Sequence, residues 1–291
     1  MLRLFAALFE AIRAAQHGTH RPYEEPTAEP DDSYEGTEEA GSDTPASAPR
    51  LSESYGFRTF EWCGTTWAVR EKNDRVGFTG PQASHPDHGE GLWVDGATVL
   101  PDGRLELRSQ GINGAVEIIA EESTGYGTYE FTYTADFDGH HPSTVFGLFP
   151  YDWAGEEQAA GFSEIDFIEI SRWGNPERGL PRGAVTYYSD ETGDGTTLRK
   201  FDVPSGPQTL TTVAEWRPDY IRVTTTTADG TVLSEDVATV GVPRDRAQQV
   251  HINLWTYSDR GVESRRWLES SGDVVVLDSF RFRPEVKHRA Y

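Results

Sequence analysis

Between Gly161 and Trp173 the chain reads Gly-Phe-Ser-Glu-Ile-Asp-Phe-Ile-Glu-Ile-Ser-Arg-Trp, an alternation of apolar and acidic residues with one break in phase. Few folds accept such a stretch. Side chains alternate faces along a strand, so Glu164 and Asp166 point to one side while Ile165 and Phe167 point to the other. Unbroken alternation would bring Glu169 round to the apolar side. One extra residue at Phe167-Ile168, a β-bulge, restores the phase. Glu169, Ser171 and Trp173 then rejoin Glu164, and Ile170 returns to the core. The stretch predicts a bulged strand with an apolar face and a face that carries three carboxylates.

Three acids on one face repel each other, and close like charges keep a proton bound near neutral pH. One carboxylate can then serve as an ionised nucleophile while another serves as a protonated general acid. Hydrolysis of a glycoside with retention uses such a pair, with carboxyl groups roughly 5–5.5 Å apart. Glu164 and Glu169 start about 13 Å apart at Cα, so the strand must bend and the side chains must lean together. In a chain with 48 Asp and Glu the spacing of three acids alone carries little. The apolar alternation around them and the flanking aromatics give it weight.

Many short runs elsewhere repeat the period of two. Phe60 to Gly64 and Thr66 to Val69 read as strands around a Gly turn. Pro101-Asp102-Gly103 is a hairpin turn followed by Leu105 and Leu107 in alternation. Tyr129, Phe131 and Tyr133 share one face, as a core strand requires. Thr144 to Tyr151 is an apolar strand just before the acidic one. Of the adjacent pair Tyr187-Tyr188, one must face the same side as the carboxylates, and Tyr187 is the choice. In Val250 to Trp255, His251, Asn253 and Trp255 lie opposite Ile252 and Leu254. An amide beside an indole suits a sugar, with flat apolar area and a polar handle; a half-buried core Trp is the bland alternative. The expected fold is all-β: a jelly-roll sandwich of two antiparallel sheets, one concave and lining a substrate groove.

Length sets the rest of the organisation. The chain has 291 residues, enough for one large β domain, taken as 51–291, plus a tail. Residues 1–16 place Leu2, Phe5, Leu8, Phe9 and Ile12 on a helical stripe. Glu10 interrupts it, so it reads as a degenerate signal or an amphipathic anchor, too short to span a bilayer. Residues 17–50 are rich in Glu, Asp, Pro, Ser, Thr and Gly with almost no large aliphatics, and read as a disordered acidic linker. The net charge of −22 should repel nucleic acid and anionic membrane surfaces and disfavours heavily sulfated polymers. Lysines are rare (Lys72, Lys200 and Lys287 among 26 basic residues), a surface suited to high salt. Cys63 is the lone cysteine, so no intrachain disulfide forms. His85 and His88 share a loop, but no Cys or paired carboxylate nearby completes a metal site.

Glu-Ile-Asp-Phe-Ile-Glu resembles the signature of glycoside hydrolase family 16, in the bulged form of laminarinases, agarases and carrageenases. Tyr126-Gly127-Thr128-Tyr129-Glu130, His251 to Trp255 and Trp267-Leu268 are similar to further family positions, and the resemblance spans about residues 57 to 284. It implies a retaining endo-hydrolase of a β-linked glucan or galactan, with Glu164 as nucleophile, Asp166 as its assisting acid and Glu169 as general acid/base. It further implies sugar contacts at Trp255, Asn253, Trp267, Trp173 and Tyr187. Glu117 matches a sugar-contacting Glu of lichenase-type relatives, but Ile119 stands where those have Arg. Catalysis needs no cofactor. In several relatives an Asp matching Asp278 and the carbonyl matching Gly103 bind a structural Ca²⁺, a hard cation that prefers oxygen. The expected partner is a polysaccharide, met by a monomer outside the cell or on its surface. A non-catalytic carbohydrate-binding protein on the same fold, or a transglycosylase, is the alternative.

Overall fold

The computed structural model describes residues 50–70, 93–110, 114–151, 164–188, 195–256 and 272–285. The segment 1–16, the linker through residue 49, His85, His88 and Trp267 lie outside the described residues. Those described all belong to the compact unit Ser47–Tyr291.

In chain order the elements are α1 (Leu51–Tyr55), β1 (Arg58–Trp62), β2 (Thr65–Val69), β3 (Ala97–Val99), β4 (Leu105–Arg108) and β5 (Val116–Ser123). Next come β6 (Gly127–Ala135), β7 (Thr144–Tyr151), β8 (Ile165–Ser171), β9 (Arg182–Tyr188) and β10 (Gly195–Asp202). The series ends with β11 (Gln208–Trp216), β12 (Ile221–Thr227), β13 (Val232–Ala238), β14 (Gln249–Thr256) and β15 (Val274–Pro284). They form two antiparallel sheets. One has the order β1-β2-β5-β14-β7-β8-β9-β10 and the other β13-β12-β11-β6-β15-β4-β3. This is the jelly-roll sandwich that the alternation implied.

Local chemistry sets the turns. Cys63 and Gly64 both take positive φ, 52° and 74°, between the paired ends Trp62 and Thr65. A two-residue hairpin with this twist wants that conformation at both central positions. Gly103 and Gly230, at φ 88° and 86°, serve the β3–β4 and β12–β13 hairpins. β6 alternates buried and half-buried along its whole length, and all nine of its residues pair with β11.

The core lies between the sheets. Tyr129, Phe131 and Tyr133 of β6 meet Phe167 and Phe146 of the other sheet; Tyr129 and Phe167 are 4.9 Å apart between ring centres. Each such fully buried side chain contributes about 1.5–3 kcal/mol. The Thr-rich hairpin divides by face. Thr225 is buried and its hydroxyl meets that of Thr212 at 3.0 Å, which in turn meets the Tyr133 hydroxyl at 2.9 Å.

A second, smaller apolar cluster sits on the opposite face of the eight-stranded sheet. Leu51 of α1 and Phe57 pack there against Ala68 of β2 and Ile119 of β5. α1 has five residues, ends at Gly56 with φ 71°, and has no side-chain cap at its start. So short a helix has little stability of its own; packing of Leu51 holds it.

Candidate functional site

The outer face of the eight-stranded sheet carries the acids, and β8 is built as the sequence requires. Ile165, Phe167, Ile168 and Ile170 all join the core. Asp166 pairs with Thr186 and Glu169 with Ala184, three steps on β8 against two on β9. On the β7 side Glu164 is bridged to Tyr151, and Ile168 pairs with Leu148. One residue is therefore extra, Phe167 and Ile168 both turn inward, and Glu169 returns to the face of Glu164 and Asp166.

Register then fixes the neighbours. A row runs across the outer face through Lys200, Ala184, Glu169, Gly147, Asn253 and Glu117. Gly147 is small for a reason: a Cβ there would lie 2.6 Å from the Asn253 Oδ1. That oxygen is buried and accepts no hydrogen bond in the described structure. An acceptor held in this state, two strands from Glu169 with only Gly147 between, suits a ligand hydroxyl.

The charges are tuned. Burial raises the Asp166 carboxyl well above its usual range, and the charges of Glu164 and Glu169 and a hydrogen bond with Glu164 add to this. Glu169 is pushed up to about 8, by burial first and then by the charge of Glu164, against the opposing pull of Lys200. At neutral pH Glu169 thus holds its proton, and protonated Asp166 can donate to Glu164. A proton donor on β8 and an acceptor carboxylate just before it share one face.

Tyr188 completes this face. Its backbone N–H donates to the Glu164 carbonyl at 3.0 Å. Its phenol is raised well above the usual range by burial and then by Asp166, Glu164 and Glu169. Tyr187, expected on this face, is on the other. Tyr187 pairs with Ile165, its ring joins the core, and its hydroxyl donates to the Val240 carbonyl at 2.7 Å.

Glu117 is also corrected as a sugar contact. It is on the outer face but buried, between Arg70 and His251, whose Nδ1 lies 3.0 Å from its Oε1. Burial alone would raise its carboxyl; the Arg70 charge and the hydrogen bond and charge of His251 outweigh this and bring it to about 2. Arg70 comes from the end of the neighbouring strand and lies 4.4 Å from the centre of the Trp93 ring. Trp255, half-buried, and Trp173, just past β8 with φ 52°, mark one end of the face. The Trp173 N–H donates to the Ser171 Oγ at 2.8 Å.

The expected Ca²⁺ site does not fit. The Gly103 carbonyl accepts from the Trp62 indole at 3.1 Å. Asp278 accepts from the Thr134 hydroxyl at 2.7 Å and has the Arg104 guanidinium 3.7 Å away. Among the described residues no group of three or more His, Cys, Asp or Glu side chains could hold a metal ion.

Two antiparallel sheets with an acidic strand on the outer face of one define a β-jelly roll, and solved structures share it. A Bacillus licheniformis β-glucanase is 19% identical with a TM-score of 0.53, covering 84% of this chain and 100% of its own. The laminarinase catalytic domain of Thermotoga maritima is 14% identical with a TM-score of 0.52, covering 76% of this chain and 92% of its own. An immunostimulatory antigen and pseudo β-1,3-glucanase of Mycobacterium tuberculosis is 16% identical with a TM-score of 0.53, covering 76% and 91%. No protein-family model and no curated protein sequence matches. The fold is the β-glucanase jelly roll that the Glu164 to Glu169 motif implied.

Proposed function

We propose that this chain is a retaining glycoside hydrolase of a β-linked glucan, with a β-1,3-glucan as the first candidate. The observation that carries the reading is the β8 carboxylate set, in which Glu169 is raised to about 8 beside the charge of Glu164. Glu164 attacks the anomeric carbon while Glu169 gives its proton to the leaving oxygen. Glu169, now ionised, takes a proton from water, whose oxygen displaces Glu164 and regenerates both groups. Asp166 holds a proton and directs it at Glu164. Tyr188, Thr186 and Asn253 bond sugar hydroxyls, and Trp255 and Trp173 offer flat apolar area. A polymeric substrate places the enzyme outside the cell or on its surface. Among the described residues no helix is long and apolar enough to cross a membrane.

The test is reducing-end release from laminarin, mixed-linkage glucan, agarose, carrageenan and porphyran at low and high salt. Glu164→Gln should abolish release while leaving the thermal transition in place. Substantial turnover by that variant would refute the assignment. A binding protein without hydrolytic activity is the second reading, since one protein of this fold is described as a pseudo β-1,3-glucanase. It expects polysaccharide binding, no release, and no effect of Glu164→Gln.

A further inference from the structure

The outer face is not open from edge to edge. Toward β8, β9 and β10 it presents the carboxylates. Toward β5 and β2 it is covered. Leu51 is 0% and Phe57 7% exposed, and both pack on Ala68 and Ile119, with Tyr55 and Tyr151 at the margin. The Tyr55 and Phe57 rings lie 5.6 Å apart. The Ser52 N–H donates to the Glu121 Oε1 at 2.8 Å, which ties α1 to β5. Trp93 lies over Arg70 in the same region. Beneath these covers Arg70, Glu117, Glu121 and His251 are all buried. A polar floor of this kind, if left open, would suit a sugar chain lying across the strands; here its groups face protein.

We propose that the segment Arg50–Phe57 ends the sugar-binding floor, and so sets how many sugar units bind on one side of the bond that is cleaved. This rests on the glucan reading above. The distance supports it. Leu51 and Phe57 pack on Ile119 of β5, in the same sheet as the carboxylates of β8. Adjacent strands are about 4.8 Å apart, so from β8 to the wall over β5 there are three strand spacings, roughly 14 Å, room for only a short run of sugar units. On the far side the row ends at Lys200 of β10, which is exposed. The resulting enzyme measures chain on one side instead of accepting any internal stretch.

The experiment measures binding of β-1,3-glucan oligosaccharides of increasing length by calorimetry, in the full chain carrying Glu164→Gln so that nothing is cleaved. Affinity should stop rising at a short length. With Leu51→Ser and Phe57→Ser added, each further unit should raise affinity by up to about tenfold, equal to about 1.4 kcal/mol. The same length dependence in both proteins would overturn the inference while leaving the glucan reading in place. Failure of every oligosaccharide to bind either protein would refute the glucan reading and the inference with it. If the double substitution loses its thermal transition, Leu51→Ala replaces it. That smaller change must still move the length dependence in the same direction, and no movement would overturn the proposal.

Discussion

Replacing Glu169 by Gln should make this domain more stable, and by an amount set by pH. The Glu169 carboxyl rises from its ordinary 4.5 to about 8 on folding, through burial and then the charge of Glu164. Below about 4.5 both the folded and the unfolded chain hold this proton, and stability is unaffected. As pH rises from there to about 8 the unfolded chain releases the proton while the folded chain keeps it, so stability is lost across that window. At pH 7, about 2.5 pH units above the ordinary value, this would cost ~3 kcal/mol at 1.36 kcal/mol per unit. Glu169 is half-buried and water on the outer face screens part of this, which brings the expected gain to ~1–3 kcal/mol. Glutamine keeps the shape and cannot ionise. Urea unfolding of both chains from pH 4 to 9 at constant ionic strength reads the difference. It should be near zero at pH 4, grow through pH 7 and flatten above pH 8. A difference independent of pH would refute the perturbed carboxyl. A variant that becomes less stable as pH rises would show Glu169 ionised and held by Lys200.

Three further outcomes follow from the same face. Lys200→Met should move the alkaline limb of the pH dependence of kcat/KM upward, because the lysine charge lowers the Glu169 carboxyl. Lys200 is exposed, so the shift should shrink in high salt. Arg70→Met should destabilise the fold by about 3–5 kcal/mol in thermal or urea melts near neutral pH, since it leaves Glu117 charged and buried beside His251. The cost should fade as pH falls from about 4.5 towards 2, where wild type also loses the pair. Gly147→Ala should cost about 1–3 kcal/mol and weaken oligosaccharide binding by pushing Asn253 aside. Adding Asn253→Ala should restore the stability but not the binding, as calorimetry and melts on the same samples will show.

Legibility in the sequence followed the range of the interactions. The bulge was readable because it is local: Ile165, Phe167, Ile168 and Ile170 must all be buried, and only one added residue lets Glu169 escape. Hairpins at Gly64 and Gly103 were readable for the same reason, a backbone conformation tied to a residue type. Tyr187 and Tyr188 were not separable that way. Their faces depend on the pairing of Ile165 with Tyr187, set by a strand more than twenty residues earlier. Glu117 was matched to a sugar-contacting position on its own strand alone, whereas what occupies its carboxylate is Arg70, from the end of the neighbouring strand. α1 gives no periodic signal in five residues; its trace is Leu51 and Phe57 as the first apolar residues after the acidic tail, with Gly56 to end the helix. The Ca²⁺ expectation failed because its two oxygens were matched without the donors around them, Trp62 and Arg104.

Two glutamates on one row of the sheet make the case for function better than any motif does. Glu117 and Glu169 are joined through Asn253 and Gly147 by register alone. At Glu117 the fold brings Arg70 and His251 against the carboxylate and holds it near 2. At Glu169 it brings further acid and burial, with Lys200 acting at a distance, and the carboxyl rises to about 8. The same sheet can therefore neutralise a buried acid with an arginine, and among the described residues no arginine does so for Glu169. A structural role for the β8 acids would be better served by the Glu117 arrangement, which stabilises the folded chain at neutral pH. The β8 arrangement destabilises it over the pH range where it would work, and what it retains in exchange is a proton donor beside an acceptor.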